Sequence, residues 1–140
     1  PIYVKDMVKI TNYFLKKSLN INPDSIKLLK KSVIINKHFQ ITEKVIGAYK
    51  TMIDLGDKKW ETFIEYIDSC ITQTNWKKAI ELTKLAITIF PDNSGLNFRL
   101  AGCYIKLGEI SNSKNYLKKE KNISQLTANL IEMFPELKKL

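Results

Sequence analysis

Pro23 and Pro91 close two stretches of one pattern and stand two 34-residue steps apart. The stretches are TNYFLKKSLNINPD (11–24) and AIELTKLAITIFPD (79–92). Midway, VIGAYKTMIDLGD (45–57) repeats the pattern with Asp57 in the closing place. In each, small and bulky apolar residues recur at helical spacing before the closing position. A period near 34 that runs without gaps marks an array of helical repeats, each too small to bury its apolar face alone. Such arrays present extended surfaces to partners.

Setting the closing position at 23, 57, 91 and 125 divides the chain into a half repeat (1–25) and three units (26–59, 60–93, 94–127). Each unit predicts two amphipathic helices and a short turn. In 60–93, WETFIEYIDSCI places Trp60, Phe63, Ile64, Tyr66 and Ile67 at helical spacing, and WKKAIELTKLAITIF follows the polar link TQTN. Pro91 ends the second helix because it lacks an amide hydrogen and disfavours helix in the residue before it. In 94–127, Gly108 ends the first helix. The register slips at the C-terminus: TANLIEMFPEL (127–137) echoes TKLAITIFPDN (83–93) at an offset of 44. The extra residues around Lys118–Ser124 lengthen the last helix or add a turn. A capping helix is expected over 124–140, covering the open apolar end of the stack.

These residues resemble the tetratricopeptide repeat. Ala101, Tyr104 and Gly108-Glu109 match its positions 8, 11 and 15–16, and Ala79, Ala86 and Pro91 match positions 20, 27 and 32. Tyr49 and Leu55 match positions 24 and 30. Three residues depart from the motif: Thr83 at position 24, Glu120 at position 27 and Asp57 for the closing proline. The resemblance implies an all-α fold, a right-handed stack of helical hairpins with about three repeats plus capping helices. The half repeat reads as a second helix without its first. A segment of a longer repeat protein, or of an enzyme with a repeat region appended, is therefore an alternative to a true start at Pro1.

The net charge is +9, and of 23 basic residues only Arg99 is arginine. Abundant Lys, Ile and Asn together also follow from AT-rich coding, so distribution says more than the sum. Residues 1–50 carry +7, 51–97 carry −2 and 98–140 carry +4. A nucleic-acid reading would use the N-terminal lysines with Tyr3, Tyr13, Phe14 and Phe39 for base stacking. Two observations count against it. Near absence of arginine weakens phosphate recognition, and the spacing Val4, Met7, Val8, Thr11, Leu15 assigns Phe14 to the core. No apolar run reaches the ~18 residues of a membrane span, and residues 1–10 lack the layout of a secretory signal. With two cysteines and no export signal, the expected compartment is the cytoplasm.

No catalytic, cofactor or metal constellation is expected. His38 is the single histidine and has no Ser or Cys placed by spacing to pair with it. Cys70 and Cys103 read as small buried hydrophobes, since no CxxC accompanies them. The candidate site is instead the groove. In the tetratricopeptide fold, positions 2, 5, 9, 12 and 13 of the first helices point into the concave surface. The resemblance thus selects Lys27, Lys30, Ile34, Lys37 and His38, then Glu61, Ile64, Asp68, Ile71 and Thr72, then Gly95, Phe98, Gly102, Ile105 and Lys106. A basic end would lead to an apolar, small-residue end. The expected partner is a protein or peptide with acidic residues at one end and apolar anchors at the other. The clamp for acidic chaperone C-termini is not expected, because Ile34 stands where its asparagine belongs and Asp68 would repel a carboxylate. The expected function is a scaffold or adaptor without catalysis of its own. A repeat region serving an enzyme such as a glycosyltransferase, and non-specific RNA binding, are the alternatives.

Overall fold

The computed structural model describes residues 2–22, 24–120 and 123–140, with side chains from residue 5 onward. The repeat-closing Pro23 lies outside the described residues, as do the side chains of Tyr3 and Val4. Among the described residues the chain is all-helical. Its α-helices are α1 (Ile2–Ile21), α2 (Ile26–His38), α3 (Thr42–Asp54), α4 (Trp60–Thr72), α5 (Trp76–Ile89), α6 (Leu96–Lys106), α7 (Ile110–Lys119) and α8 (Ala128–Glu132). Short 3-10 turns occupy Ile123–Gln125 and Pro135–Lys139. The chain forms two compact units, Pro1–Ser69 and Cys70–Leu140, and the boundary falls within α4.

The period is written into the backbone as well as the side chains. Gln40, Thr74 and Gly108 adopt left-handed conformations with φ of 59°, 57° and 78°. Each follows a first helix, and each lies 34 residues from the next. One residue further on, the amides of Ile41, Asn75 and Glu109 donate to the carbonyls of Asn36, Cys70 and Tyr104 at 2.8, 2.9 and 2.9 Å. This is the six-residue closure that satisfies a helix's last carbonyls when the chain turns left-handed. Only Gly108 is free of the steric cost a Cβ brings in that region. Thr74 is the most strained of the three because it is β-branched. Thr74→Gly is therefore expected to raise stability by about 1 kcal/mol, read as a higher urea midpoint at unchanged slope.

In the first unit, α2 packs on α3 through a core of Leu29, Val33, Val45, Ala48, Tyr49 and Met52. Ser25 starts α2 by accepting the Leu28 amide on its Oγ at 3.2 Å. Asp57, the residue in the proline's place, is buried. Its carboxylate accepts the Lys59 amide at 2.9 Å and the Thr62 hydroxyl at 3.0 Å. It thus ties the connection from α3 to the first turn of α4, a task proline could not perform.

The α1 helix corrects one sequence expectation. Leu15 and Leu19 lie along the same hollow as Leu29 and Ala48, and Val8 lies by Ile41. Phe14, expected in the core, is 62 % exposed, and Met7 and Ile10 are exposed beside it. The helix is packed along one flank, and Phe14 falls on the other.

In the second unit, α5 and α7 both pack on α6, whose Leu96, Leu100, Ala101 and Cys103 are buried. The small Ala101 lets Ser113 of α7 come close enough to donate its hydroxyl to the Ala101 carbonyl at 2.7 Å. Thr83 is wholly buried, and its hydroxyl is satisfied by the Ala79 carbonyl at 2.6 Å. The segment expected as one capping helix over 124–140 is instead broken into the two 3-10 turns and the five-residue α8. Pro135 is one cause, since it has no amide hydrogen to continue the helix. The last helix is not lengthened by the extra residues: α7 stops at Lys119, and Glu120 turns extended with ψ of 102°.

Candidate functional site

The expected groove residues fall in both units, and each unit has its own geometry. In the first, Lys30, Ile34 and Glu61 come together on one cleft of about 700 Å³. Its lining also includes Val33, Tyr49, Met52, Thr62 and Glu65. Ile34 is 69 % exposed, a large aliphatic residue at the edge of a cavity rather than in the core. Lys37 stands nearby and pairs with Glu65 at 3.2 Å. Lys27 and His38 are exposed, His38 edge-on to Phe39 at 5.0 Å, while Ile64 and Asp68 are half-buried.

Sequence reasoning missed the polar centre of this cleft. The Tyr49 hydroxyl donates to Glu65, which also receives Lys37, and the Lys37 ammonium lies 5.6 Å from the Tyr49 ring centre. Tyr49 in turn stacks on Tyr66 at 6.2 Å. Burial, reinforced by the hydrogen bond to Glu65, pushes the Tyr49 phenol far above the ordinary tyrosine range. It therefore remains a hydrogen-bond donor. The signal available in the sequence was Tyr49 at a repeat position; its partner Glu65 carried none.

In the second unit four of the expected groove residues, Gly95, Phe98, Gly102 and Lys106, are met by the chain itself. Phe98 is only 5 % exposed, and the wholly buried Phe134 lies against it at 6.2 Å between ring centres. Phe134 also meets Trp76 at 6.4 Å. A methyl group on Gly102 would come within 2.3 Å of the Phe134 ring, so the absence of a Cβ there is what admits it. Lys106 pairs with Glu136, and its ammonium lies 6.0 Å from the Trp76 ring centre. Leu130 sits over Gly95, where a methyl group would come within 2.9 Å of it. Ile105 is half-buried, Ile71 is buried and Thr72 is exposed. The Lys106 ammonium holds the Glu136 carboxyl below the usual carboxylate range. The stabilisation from this pair is therefore full above that range and is lost as pH falls through the depressed value.

Two further features limit the chemistry. Cys70 and Cys103 are both buried, and burial pushes the Cys70 thiol up to about 11, leaving little thiolate at neutral pH. Among the described residues, no group of three or more His, Cys, Asp or Glu could hold a metal ion, and no helix is long and apolar enough to cross a membrane.

Helix pairs at a 34-residue interval, left-handed turns at fixed positions and small residues on the seams define a tetratricopeptide-repeat-like helical array. Solved structures of MamA, a protein of that repeat class, share the fold. MamA from AMB-1 matches with a TM-score of 0.70 over 93% of this chain and 72% of its own, at 17% sequence identity. MamA from MSR-1 matches with 0.66 over 88% and 71%, at 18% identity. A further MamA crystal structure matches with 0.68 over 89% and 73%, at 16% identity. At these identities the likeness is one of fold. No protein-family profile matches the sequence, and no curated protein is similar to it.

Proposed function

We propose that the chain is a protein–protein interaction scaffold whose first-helix faces take a peptide or partner segment bearing acidic residues and apolar anchors. The observation that carries this reading is the cleft of the first unit, which is lined by Lys30, Glu61 and the exposed Ile34 together with the buried Val33 and Met52. The apolar residues would supply most of the affinity, and Lys27, Lys30 and Lys37 would steer an acidic segment. The test compares partner capture by the full chain with capture by Ile34→Asp and by Lys30→Glu, with Lys118→Ala as the control on α7. Each cleft variant is expected to weaken binding at least tenfold while the control leaves it unchanged. Equal effects in all three would remove the assignment.

A second reading, non-specific binding of single-stranded RNA, is favoured by one observation. Tyr13 and Phe14 stand exposed on α1, with the Lys17 ammonium 4.8 Å from the Tyr13 ring centre. Affinity that falls steeply with the logarithm of salt concentration would mark phosphate contacts. A mainly apolar cleft gives a shallow slope.

A further inference from the structure

Four of the expected groove positions at and before α6 are met by the chain's own C-terminal segment. Leu130 lies over Gly95, Phe134 over Phe98 and Gly102, and Glu136 pairs with Lys106. The segment consists of turns three to five residues long. Pieces that short do not hold helical form without the surface they touch, because nucleating a helix costs more than so few bonds return. What fixes the segment is therefore its side chains: one aromatic ring in a close-fitting recess and one carboxylate on a lysine. That is how grooves on helical proteins hold peptides.

We propose that this face of α6 is a peptide-recognition site, occupied in the free chain by residues 126–137. Its partner is a segment of another protein with the same chemistry: an aromatic residue, then proline, glutamate and an aliphatic residue, as in Phe134-Pro135-Glu136-Leu137. The proposal rests on the scaffold reading and narrows it to one face and one sequence chemistry. Gly102 sets the aromatic requirement, since only a position without a Cβ leaves room for a ring against the helix backbone. Lys106, beside the Trp76 ring, sets the requirement for an acid two residues on. The tethered segment competes at an effective concentration on the order of millimolar. A partner therefore engages fully only when it outbids the tether or when the segment is loosened.

The test is an anisotropy titration of a fluorescein-labelled peptide of residues 126–140. It is run against the full chain and against the full-length double variant Phe134→Ala, Glu136→Ala. The peptide is expected to bind the variant at least tenfold more tightly than the unaltered chain. Phe134→Ala within the peptide should abolish binding, and so should Gly102→Leu added to the double variant. In the unaltered chain, excess peptide should speed hydrogen exchange of the 126–140 amides. Equal binding to both proteins, or to neither, overturns the proposal. A double variant that loses its helical circular dichroism also overturns it, because the segment is then a structural cap. So does a dimer of the unaltered chain in light scattering that vanishes in the double variant, since the occupant is then a second copy. None of these outcomes touches the Ile34 and Lys30 variants, which test the scaffold reading separately.

Discussion

Glu120→Ala is expected to lower the unfolding free energy of the second unit by about 2–3 kcal/mol. One carboxylate oxygen of Glu120 accepts the amides of Gly95 at 3.1 Å and Phe98 at 3.3 Å, both at the start of α6. Those amides have no partner inside the helix, and the positive end of the helix dipole favours a negative charge beside them. The carboxylate is buried. Alanine would leave two buried donors without an acceptor, which costs more than the loss of two exposed bonds. Glu120→Gln keeps an oxygen but not the charge and should lose roughly half as much. Urea unfolding followed by circular dichroism measures both. A loss under about 0.5 kcal/mol for the alanine variant would mean that water replaces the carboxylate without penalty.

Gly102→Ala is expected to separate two stabilities that wild-type unfolding reads together. Within α6, alanine is favoured over glycine by about 1 kcal/mol. Against that, the new methyl group comes within 2.3 Å of the Phe134 ring, and overpacking of a tight contact costs about 1–3 kcal/mol. The ring is carried by short turns, while Gly102 sits in a helix packed by α5 and α7, so the ring should yield. Hydrogen exchange of residues 126–140 should rise at least tenfold, and limited proteolysis should cut there first. The helices α5 to α7 should keep their protection or gain slightly. Loss of protection in all of them together would mean that Phe134 is integral to the unit.

Much of the fold was legible because the repeat period constrains side chains and backbone alike. The apolar spacing located the helix pairs, and Gly108 announced a turn whose geometry recurs at Gln40 and Thr74, where nothing in the residue type announces it. The three departures from the motif were legible as departures but not as solutions. Asp57 ties a connection to α4, Thr83 closes its hydroxyl on its own helix, and Glu120 reaches the start of another helix. A buried polar residue is explained by its partner, and partners distant in sequence leave no periodic trace. Phe14 was misassigned because spacing shows that a helix has an apolar face without showing how much of that face is covered. In the candidate cleft, the register brings Lys30, Ile34 and Glu61 together, whereas Tyr49–Glu65 and Phe134–Phe98 depend on contacts that no repeat position encodes. The echo of Phe90-Pro91-Asp92 in Phe134-Pro135-Glu136 was visible, but its place on α6 was not.

The left-handed turns at 40, 74 and 108 also bear on how the chain can change length. Because each turn closes on its own helix through the same hydrogen bond, the join between helices is set locally and demands nothing from residues outside the unit. A duplicated or deleted block of 34 residues, cut anywhere in the cycle, would restore every turn to its place. A block of any other length inserted between 40 and 108 would put these turns out of step, whereas the extra residues after Lys118 lie beyond the last of them. In evolutionary terms the stretch from 40 to 108 is ruled like a scale, in whole divisions of 34 residues.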